Sequence, residues 1–441
     1  MTAPARVMPA VTHARVFRIA APIVLSNATV PLLGAVDTAV VGRLGEAAPI
    51  GAVGVGAVIL ASLYWIFGFL RMGTTGLAAQ AQGAGDLPER NAVFLRALAI
   101  GLGAGAVLVL LQWLLFGAAF AIAPASPEVE ALSRQYLAIR IWGAPATIAL
   151  YAVTGWLIAL ERTRGVLVLQ LWMNGLNIAL DLWFVLGLGW GVPGVAFATL
   201  IAEWTGLALG LWLCRAAFGR AFAAARARVM DRAALGRMVS VNRDIMIRSV
   251  MLQLSFTAFV FLGAHQGDVT LAANQVLLQF LEITAYALDG FAFAAETLVG
   301  QAVGARDPFG VRRSSIVASH WGVVGAAVLS LTFALAGPAL IDVMTTAPDV
   351  RDAARAFLPW AAAAPLVGIA SWMFDGIFIG ATLTREMLKA MALSVAIYVL
   401  AVATLLPAFG NHGLWAALMV LNIARGVTMA LRYPAAEAKA A

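Results

Sequence analysis

The feature that most constrains this chain is a succession of long apolar runs broken by short clusters of charge, glycine and proline. Twelve such runs can be read, at 16–42, 50–72, 91–117, 132–158, 165–188, 191–214, 240–264, 271–298, 312–337, 354–380, 386–408 and 412–432. About 20 apolar residues cross the hydrocarbon core of a bilayer as a helix. Twelve crossings use most of the 441 residues and leave no large domain outside the membrane. Composition removes the alternatives. Hydrophobic residues make up 62% and charged residues 12%, too little charge to cover a soluble globule and too much apolar surface for a disordered chain. The expected fold is an all-α membrane protein with twelve transmembrane helices. Glycines 187, 189 and 191 and Pro193 separate the fifth and sixth runs.

The loops alternate in basic charge. One set holds Arg6, Arg15 and Arg18; Arg90 and Arg96; Arg162 and Arg164; Arg306, Arg312 and Arg313; Arg385 and Lys389; and a central stretch with Arg215, Arg220, Arg226, Arg228, Arg232, Arg237 and Arg243. The other set holds chiefly Arg43, Arg134, Arg351 and Arg355. The excess of basic residues on the cytoplasmic side places both termini and the central stretch in the cytoplasm of a bacterial-type inner membrane. The net charge of +7 is then a matter of orientation, and no nucleic-acid partner is expected. The start has no apolar core ahead of a small-residue cleavage site, so no removed signal peptide is expected. The single cysteine, Cys214, excludes an intramolecular disulfide and a multi-cysteine metal site.

The second half repeats the first at an offset of 221 residues. Gln80-Ala-Gln-Gly-Ala-Gly-Asp86 returns as Gln301-Ala-Val-Gly-Ala-Arg-Asp307, Gly42 maps to Gly263, Ala52 to Ala273, and Thr163-Arg164 to Thr384-Arg385. Six helices lie between copies, so both have the same orientation. Repeats of this kind form two pseudo-symmetric six-helix lobes around a central cavity, with alternating access by rocking. The expected organisation is an N-terminal lobe at 1–214, a cytoplasmic linker at 215–237 and a C-terminal lobe at 238–441.

Polar residues inside apolar runs are costly, about 3 kcal/mol for a charge at a helix centre, so they direct attention to function. In the first run Asp37 follows Pro22 and Pro31, which bend the helix. The fifth run carries Gln170, Asn174, Asn177 and Asp181 at i, i+4, i+7 and i+11, all on one face. The sixth adds Thr199 and, a turn later, Glu203. Asp37, Asn177, Asp181 and Thr199 suit a cation site: desolvated carboxylates close together favour holding a proton near neutral pH, and the same oxygens suit Na⁺. The plain alternative is a hydrogen-bonded network that only packs helices.

A second polar face lies on the eighth run: Gln275, Gln279, Glu282, Tyr286, Asp289 and Glu296. Asp375 on the tenth run can join it, and Arg248 on the seventh can neutralise one carboxylate. The face reads either as an acidic wall for a cationic substrate, a second proton site, or a charge network that fixes packing. His13, His265, His320 and His412 form no metal spacing. Gly83, Gly85 and Gly304 read as loop residues after helices and form no phosphate cradle.

The segments Thr284-Ala-Tyr-Ala-Leu-Asp-Gly-Phe-Ala-Phe-Ala-Ala-Glu296, Gly300-Gln-Ala-Val-Gly-Ala-Arg-Asp307, Asp375-Gly-Ile-Phe-Ile-Gly-Ala-Thr382 and Asp37-Thr-Ala-Val-Val-Gly-Arg-Leu-Gly45 resemble the multidrug and toxic compound extrusion (MATE) family, and within it the DNA-damage-inducible F branch. The resemblance runs from about residue 14 to 432. It implies an antiporter, not an enzyme, that exports cationic or amphipathic organic compounds in exchange for H⁺ or Na⁺ and needs no cofactor. It carries the family's N-lobe ion site onto Asp37, Asn177, Asp181 and Thr199, and its bending proline onto Pro22. Another branch places Na⁺ in the C-lobe through acids on its seventh, eighth and tenth helices. The seventh run here has no acid in its middle, which favours the N-lobe. Proton coupling is the expectation. Asn174, Gln279, Glu282, Asp289, Glu296, Asp375 and Arg248 are the candidates for a substrate or second polar site.

The rival readings are a flippase for a lipid-linked precursor, a Na⁺-coupled member of the same family, an intramembrane enzyme and a passive channel. A flippase calls for basic residues facing a pyrophosphate, and the candidate residues here are mainly acidic apart from Arg248 and Arg140. An enzyme needs a nucleophile with a base or a metal site, and no histidine stands at useful spacing for that. The expected partners are small organic substrates and membrane lipid, with the protein acting as a monomer.

Overall fold

A computed structural model describes residues 10–43, 47–122, 125–219 and 221–441, without the side chains of residues 32, 33, 35 and 38. Arg6, Arg220 and the Leu44–Gly45 end of one motif lie outside the described residues. Every regular element among the described residues is helical. This is the solution a bilayer imposes, since a helix satisfies its own backbone hydrogen bonds where no water is available.

The elements run in order α1 (His13–Ala28), α2 (Val30–Gly42), α3 (Ala47–Trp65), α4 (Phe69–Gly83), α5 (Leu87–Leu110), α6 (Gln112–Ile122), α7 (Pro127–Arg140), α8 (Ala144–Ala159), α9 (Thr163–Asp181), α10 (Gly191–Leu213), α11 (Phe222–Arg228), α12 (Arg232–Ala264), α13 (Asp268–Gly304), α14 (Pro308–Met344), α15 (Pro348–Gly380), α16 (Thr384–Ala430) and α17 (Pro434–Ala438). Single turns of 3₁₀ helix join α3 to α4 and α7 to α8, and a π-helical turn at Leu182–Gly187 ends α9.

Ten helical stretches among the described residues are long and apolar enough to span a membrane. Twelve runs reconcile with ten stretches at two places. The first run is divided at Thr29 into α1 and α2, each too short to count alone, and Pro31 stands in the first turn of α2. The last two runs are merged in α16, where Gly410 breaks the helix with φ 54° and ψ −133°. That positive φ suits glycine, which has no Cβ to clash.

Several helices reach past their apolar runs. α3 and α4 continue to Gly83, and α13 covers 268–304 where the run suggested 271–298. Gly83 and Gly304 are therefore the last residues of helices, not loop residues. Each serves a close approach. A Cβ on Gly83 would overlap the Gln301 carbonyl, and one on Gly304 would overlap the Gln80 carbonyl. The two contacts repeat at the 221-residue offset.

The chain divides into two compact units. One comprises Met1–Val24, Ala79–Gly85 and Val239–Ala441; the other comprises Leu25–Ala78 and Asp86–Met238. Residues 10–24 and the Ala79–Gly85 segment thus group by contact with the second half of the sequence. The larger unit has an aromatic core in which Phe259 meets Trp415 and Phe280 meets Phe333, with ring centroids 5.0 and 4.8 Å apart. Beside it Asn274 and Asn411 exchange amide hydrogen bonds of 2.8 Å, and Trp415 Nε1 donates to Asn274 Oδ1 at 2.9 Å.

In the other unit the basic central stretch is ordered against α5. Arg96, with a side chain 1% exposed, pairs with Glu89 at 2.8 Å and donates to the carbonyls of Arg228 and Val229. Arg228 pairs with Asp86 at 2.7 Å. α12 begins at Arg232, so the last residues of the expected linker are already helical.

Candidate functional site

The polar stripe of α9 forms a ladder against the divided first span, all within one unit. At its upper end Gln170 Nε2 donates to Asn174 Oδ1 at 3.0 Å. Asn174 Nδ2 in turn donates to Thr29 Oγ1 at 2.9 Å and to the Thr29 carbonyl at 3.2 Å. Thr29 is the residue at which α1 gives way to α2. The expected stripe is thus anchored at the break in the first span.

Two turns along, α9 and α2 meet through carboxylates. Asn177 and Asp181 are buried, at 1% and 0% exposure, and Asp37 is half-buried. One terminal atom of the Asn177 amide lies 3.2 Å from Asp37 Oδ1 and 3.1 Å from Asp181 Oδ2. The other lies 3.0 Å from Thr199 Oγ1 and 3.1 Å from the Thr199 amide nitrogen. With both carboxyls ionised, hydrogen-bond pairing assigns Nδ2 as donor to the two carboxylates and Oδ1 as acceptor from Thr199, whose hydroxyl also stands 3.1 Å from the Val195 carbonyl. Asp37 and Asp181 also come within hydrogen-bonding reach of each other. Asp181 Oδ1 is buried and has no hydrogen-bond partner. All four residues that sequence reasoning grouped are in one network.

The second polar face divides by environment. Gln275, Gln279 and Glu282 of α13 are exposed, Tyr286 and Asp289 are half-buried, and Glu296 is 1% exposed. Arg248 takes the carboxylate of α15: its Nη1 stands 2.7 Å from Asp375 Oδ2. Arg425, which sequence reasoning passed over, meets the same oxygen at 2.8 Å. Two buried guanidiniums therefore share one carboxylate. The space beside them is lined by Met387, Met391 and Met429.

The sequence profile of the MatE family matches residues 22–183 and again residues 245–405.

The chain belongs to the MATE family.

The double match gives one copy to each half. The MATE chain is 40% identical over 415 residues to DNA damage-inducible protein F of Escherichia coli, covering 94% of this chain and 90% of that one. It is 28% identical to a probable multidrug resistance protein NorM of Xanthomonas campestris, over 78% and 76% of the two chains. In structure it is similar to the Vibrio cholerae MATE transporter VcmN in the bent form, with TM-score 0.88 at 20% identity and 97% of each chain covered. That likeness establishes the twelve-helix fold with its two pseudo-symmetric halves. At the level of the family, the chain is an integral-membrane efflux transporter.

The N-half network holds two further charged residues. Arg140 at the end of α7 and Glu203 on α10 form a buried ion pair of 2.8 Å beside it. Sequence reasoning noted each of them singly and did not pair them.

Proposed function

We propose that this MATE chain is a proton-coupled antiporter that exports cationic or amphipathic organic compounds by alternating access. The proton is held by Asp37 and Asp181, and Asn177 and Thr199 orient them. The observation that carries this reading is that two carboxyls, Asp37 and Asp181, come within hydrogen-bonding reach of each other and of one Asn177 amide group inside an apolar span. A proton shared between two such carboxyls relieves the repulsion of two buried charges. The orphan Asp181 Oδ1 supports the same reading, because a buried oxygen without a partner costs less on a neutral carboxyl than on a carboxylate.

Coupling follows from the placement of α2. Its Asp37 is bound to α9, and its start is tied to α9 through Thr29 and Asn174. Loading a proton changes what Asp37 can accept and donate, and so changes how α2 sits on α9. Pro22 within α1 and Pro31 at the start of α2 let the span bend there. Substrate leaves as the proton is taken up, because the two favour different states of the same element.

For the substrate, the exposed Gln279 and Glu282 at mid-span of α13 are the best candidates. A glutamate there would be costly against lipid and so faces a wet path. This acidic face favours cations over a lipid-linked pyrophosphate. The expected lobes at 1–214 and 238–441, the linker between them, an inner-membrane location and cytoplasmic termini complete the reading. The test is proton release from purified protein on addition of a cationic dye such as ethidium. Wild-type protein releases protons, and Asp37→Asn and Asp181→Asn do not. Equal release from the variants would overturn the assignment.

A further inference from the structure

The ion pair of Arg140 and Glu203 is built into the wall of the carboxylate network, and the proton-coupling scheme leaves it without a role. Glu203 stands one turn beyond Thr199 on α10, and Arg140 one turn beyond Tyr136 on α7. The two side chains are 10% and 7% exposed. Arg140 Nε donates to the Tyr136 hydroxyl at 3.3 Å. The corner is shaped for the carboxylate. Gly143, in the 3₁₀ turn after α7, lies against Glu203 so closely that a Cβ would overlap Oε2. Trp204 Nε1, next along α10, donates to the Trp142 carbonyl of the same turn at 3.0 Å.

The pair is close: Arg140 Nη1 and Glu203 Oε2 are 2.8 Å apart in a buried corner. Among the described residues, the titratable groups that act electrostatically on the pair include Tyr136 on α7, Tyr64 on α3 with a buried hydroxyl that has no partner, Asp37 on α2 and Asp181 on α9; Tyr151 on α8 acts on Tyr64. Arg140 acts electrostatically on both aspartates as well as on Glu203. It is the cation common to all three carboxylates.

We infer that Arg140 and Glu203 are positioning residues for ion loading: Glu203 holds the Arg140 guanidinium back from Asp37 and Asp181, and so sets the proton concentration at which the aspartates load. With a proton on the aspartates, Arg140 rests on Glu203. When the aspartates ionise, the guanidinium is drawn from Glu203 toward them. A charge in a low-dielectric interior acts strongly on its neighbours, so releasing Arg140 from Glu203 strengthens its hold on ionised aspartates. This inference rests on the assignment of the proton to Asp37 and Asp181.

The test is the pH profile of ethidium export in proteoliposomes containing the full chain. Glu203→Gln frees Arg140, and the midpoint should move toward acid by about one pH unit, a tenfold lower proton affinity. The double variant Arg140→Gln with Glu203→Gln removes both charges and should return the midpoint toward that of wild type. Gly143→Ala displaces the Glu203 carboxylate without changing any charge. It should give a smaller shift in the same direction, which serves if Glu203→Gln fails to insert. A merely structural pair would lower export at every pH with the midpoint fixed, and that result overturns the inference. Asp37→Asn separates the two claims. If it abolishes export at every pH while Glu203→Gln leaves the midpoint unmoved, the pair has no such role and the proton site stands. If Asp37→Asn keeps the wild-type profile, the proton site falls and this inference falls with it.

Discussion

Asn174 donates to the hydroxyl of Thr29 at 2.9 Å, at the one residue that separates α1 from α2. A polar face of α9 thereby holds the break in the first span, two turns from the point where the same face meets Asp37. The break and the carboxylates are two ends of one contact surface.

Asn174→Leu and Thr29→Val should each weaken that anchor while leaving the carboxylates in place. A buried hydrogen bond contributes about 1 kcal/mol, so the expected effect is a severalfold loss of export rate with normal insertion. Initial rates of ethidium export from proteoliposomes measure it. The two single losses should not add in the double variant, because they remove the same contact.

The triad on α12, α15 and α16 should respond asymmetrically. Asp375→Asn leaves two buried guanidiniums without their carboxylate and should cost about 3 kcal/mol or more. Arg248→Met leaves Asp375 paired with Arg425 and should cost clearly less. Thermal unfolding in detergent, followed by size-exclusion chromatography, gives the order.

The close approaches at Gly83 and Gly304 should tolerate no side chain. In each case the Cβ would meet backbone, which cannot rotate away. Gly83→Ala and Gly304→Ala should each destabilise by about 1–3 kcal/mol through overpacking, whereas the same change at Gly54, where nothing lies within 4 Å, should not. The same thermal assay compares the three.

The central basic stretch should hold to α5 through Arg96 more than through Arg228. Arg228 pairs with Asp86 at the surface, where such pairs contribute little, although the pairing does raise the affinity of Arg228 for its proton. Arg96 is buried against the carbonyls of residues 228 and 229. Arg96→Ala should expose the stretch to trypsin, and Arg228→Ala should change cleavage little. Asp231 at the start of α12 has its carboxyl held below the usual carboxylate range, chiefly by the Ala234 backbone N–H. Its contribution to the start of α12 is therefore present above the ordinary aspartate range and lost as pH falls through the lowered value. Asp231→Asn should remove that acid-sensitive step from a proteolysis series.

Most of this architecture was legible because a membrane leaves few options. An apolar run becomes a helix, and a polar residue inside it stands out. The stripe of Gln170, Asn174, Asn177 and Asp181 could be read from spacing alone, because α9 is regular up to Asp181. Pairing across helices was harder. Arg140 and Glu203 lie far apart in sequence on otherwise apolar segments, and nothing local joins them. Arg425 lies inside the run read at 412–432 and was passed over, because only the folded chain brings it from α16 onto Asp375 of α15. The face of α13 was read as uniform, but a helix of 37 residues passes from exposed Gln279 and Glu282 to buried Glu296. Gly83 and Gly304 were read as loop residues because both lie beyond the ends of the apolar runs at 50–72 and 271–298. Their helices extend to meet backbone carbonyls, a contact that no one-dimensional pattern reveals.

The measurement that bears most directly on the central claim is ethidium export from proteoliposomes with H⁺ and Na⁺ gradients imposed separately, for wild type and Asp37→Asn. A proton gradient alone should drive wild-type export, a Na⁺ gradient alone should not, and inserted Asp37→Asn protein should export no more than empty vesicles. Export driven by Na⁺ alone, or wild-type rates from Asp37→Asn, would contradict the claim.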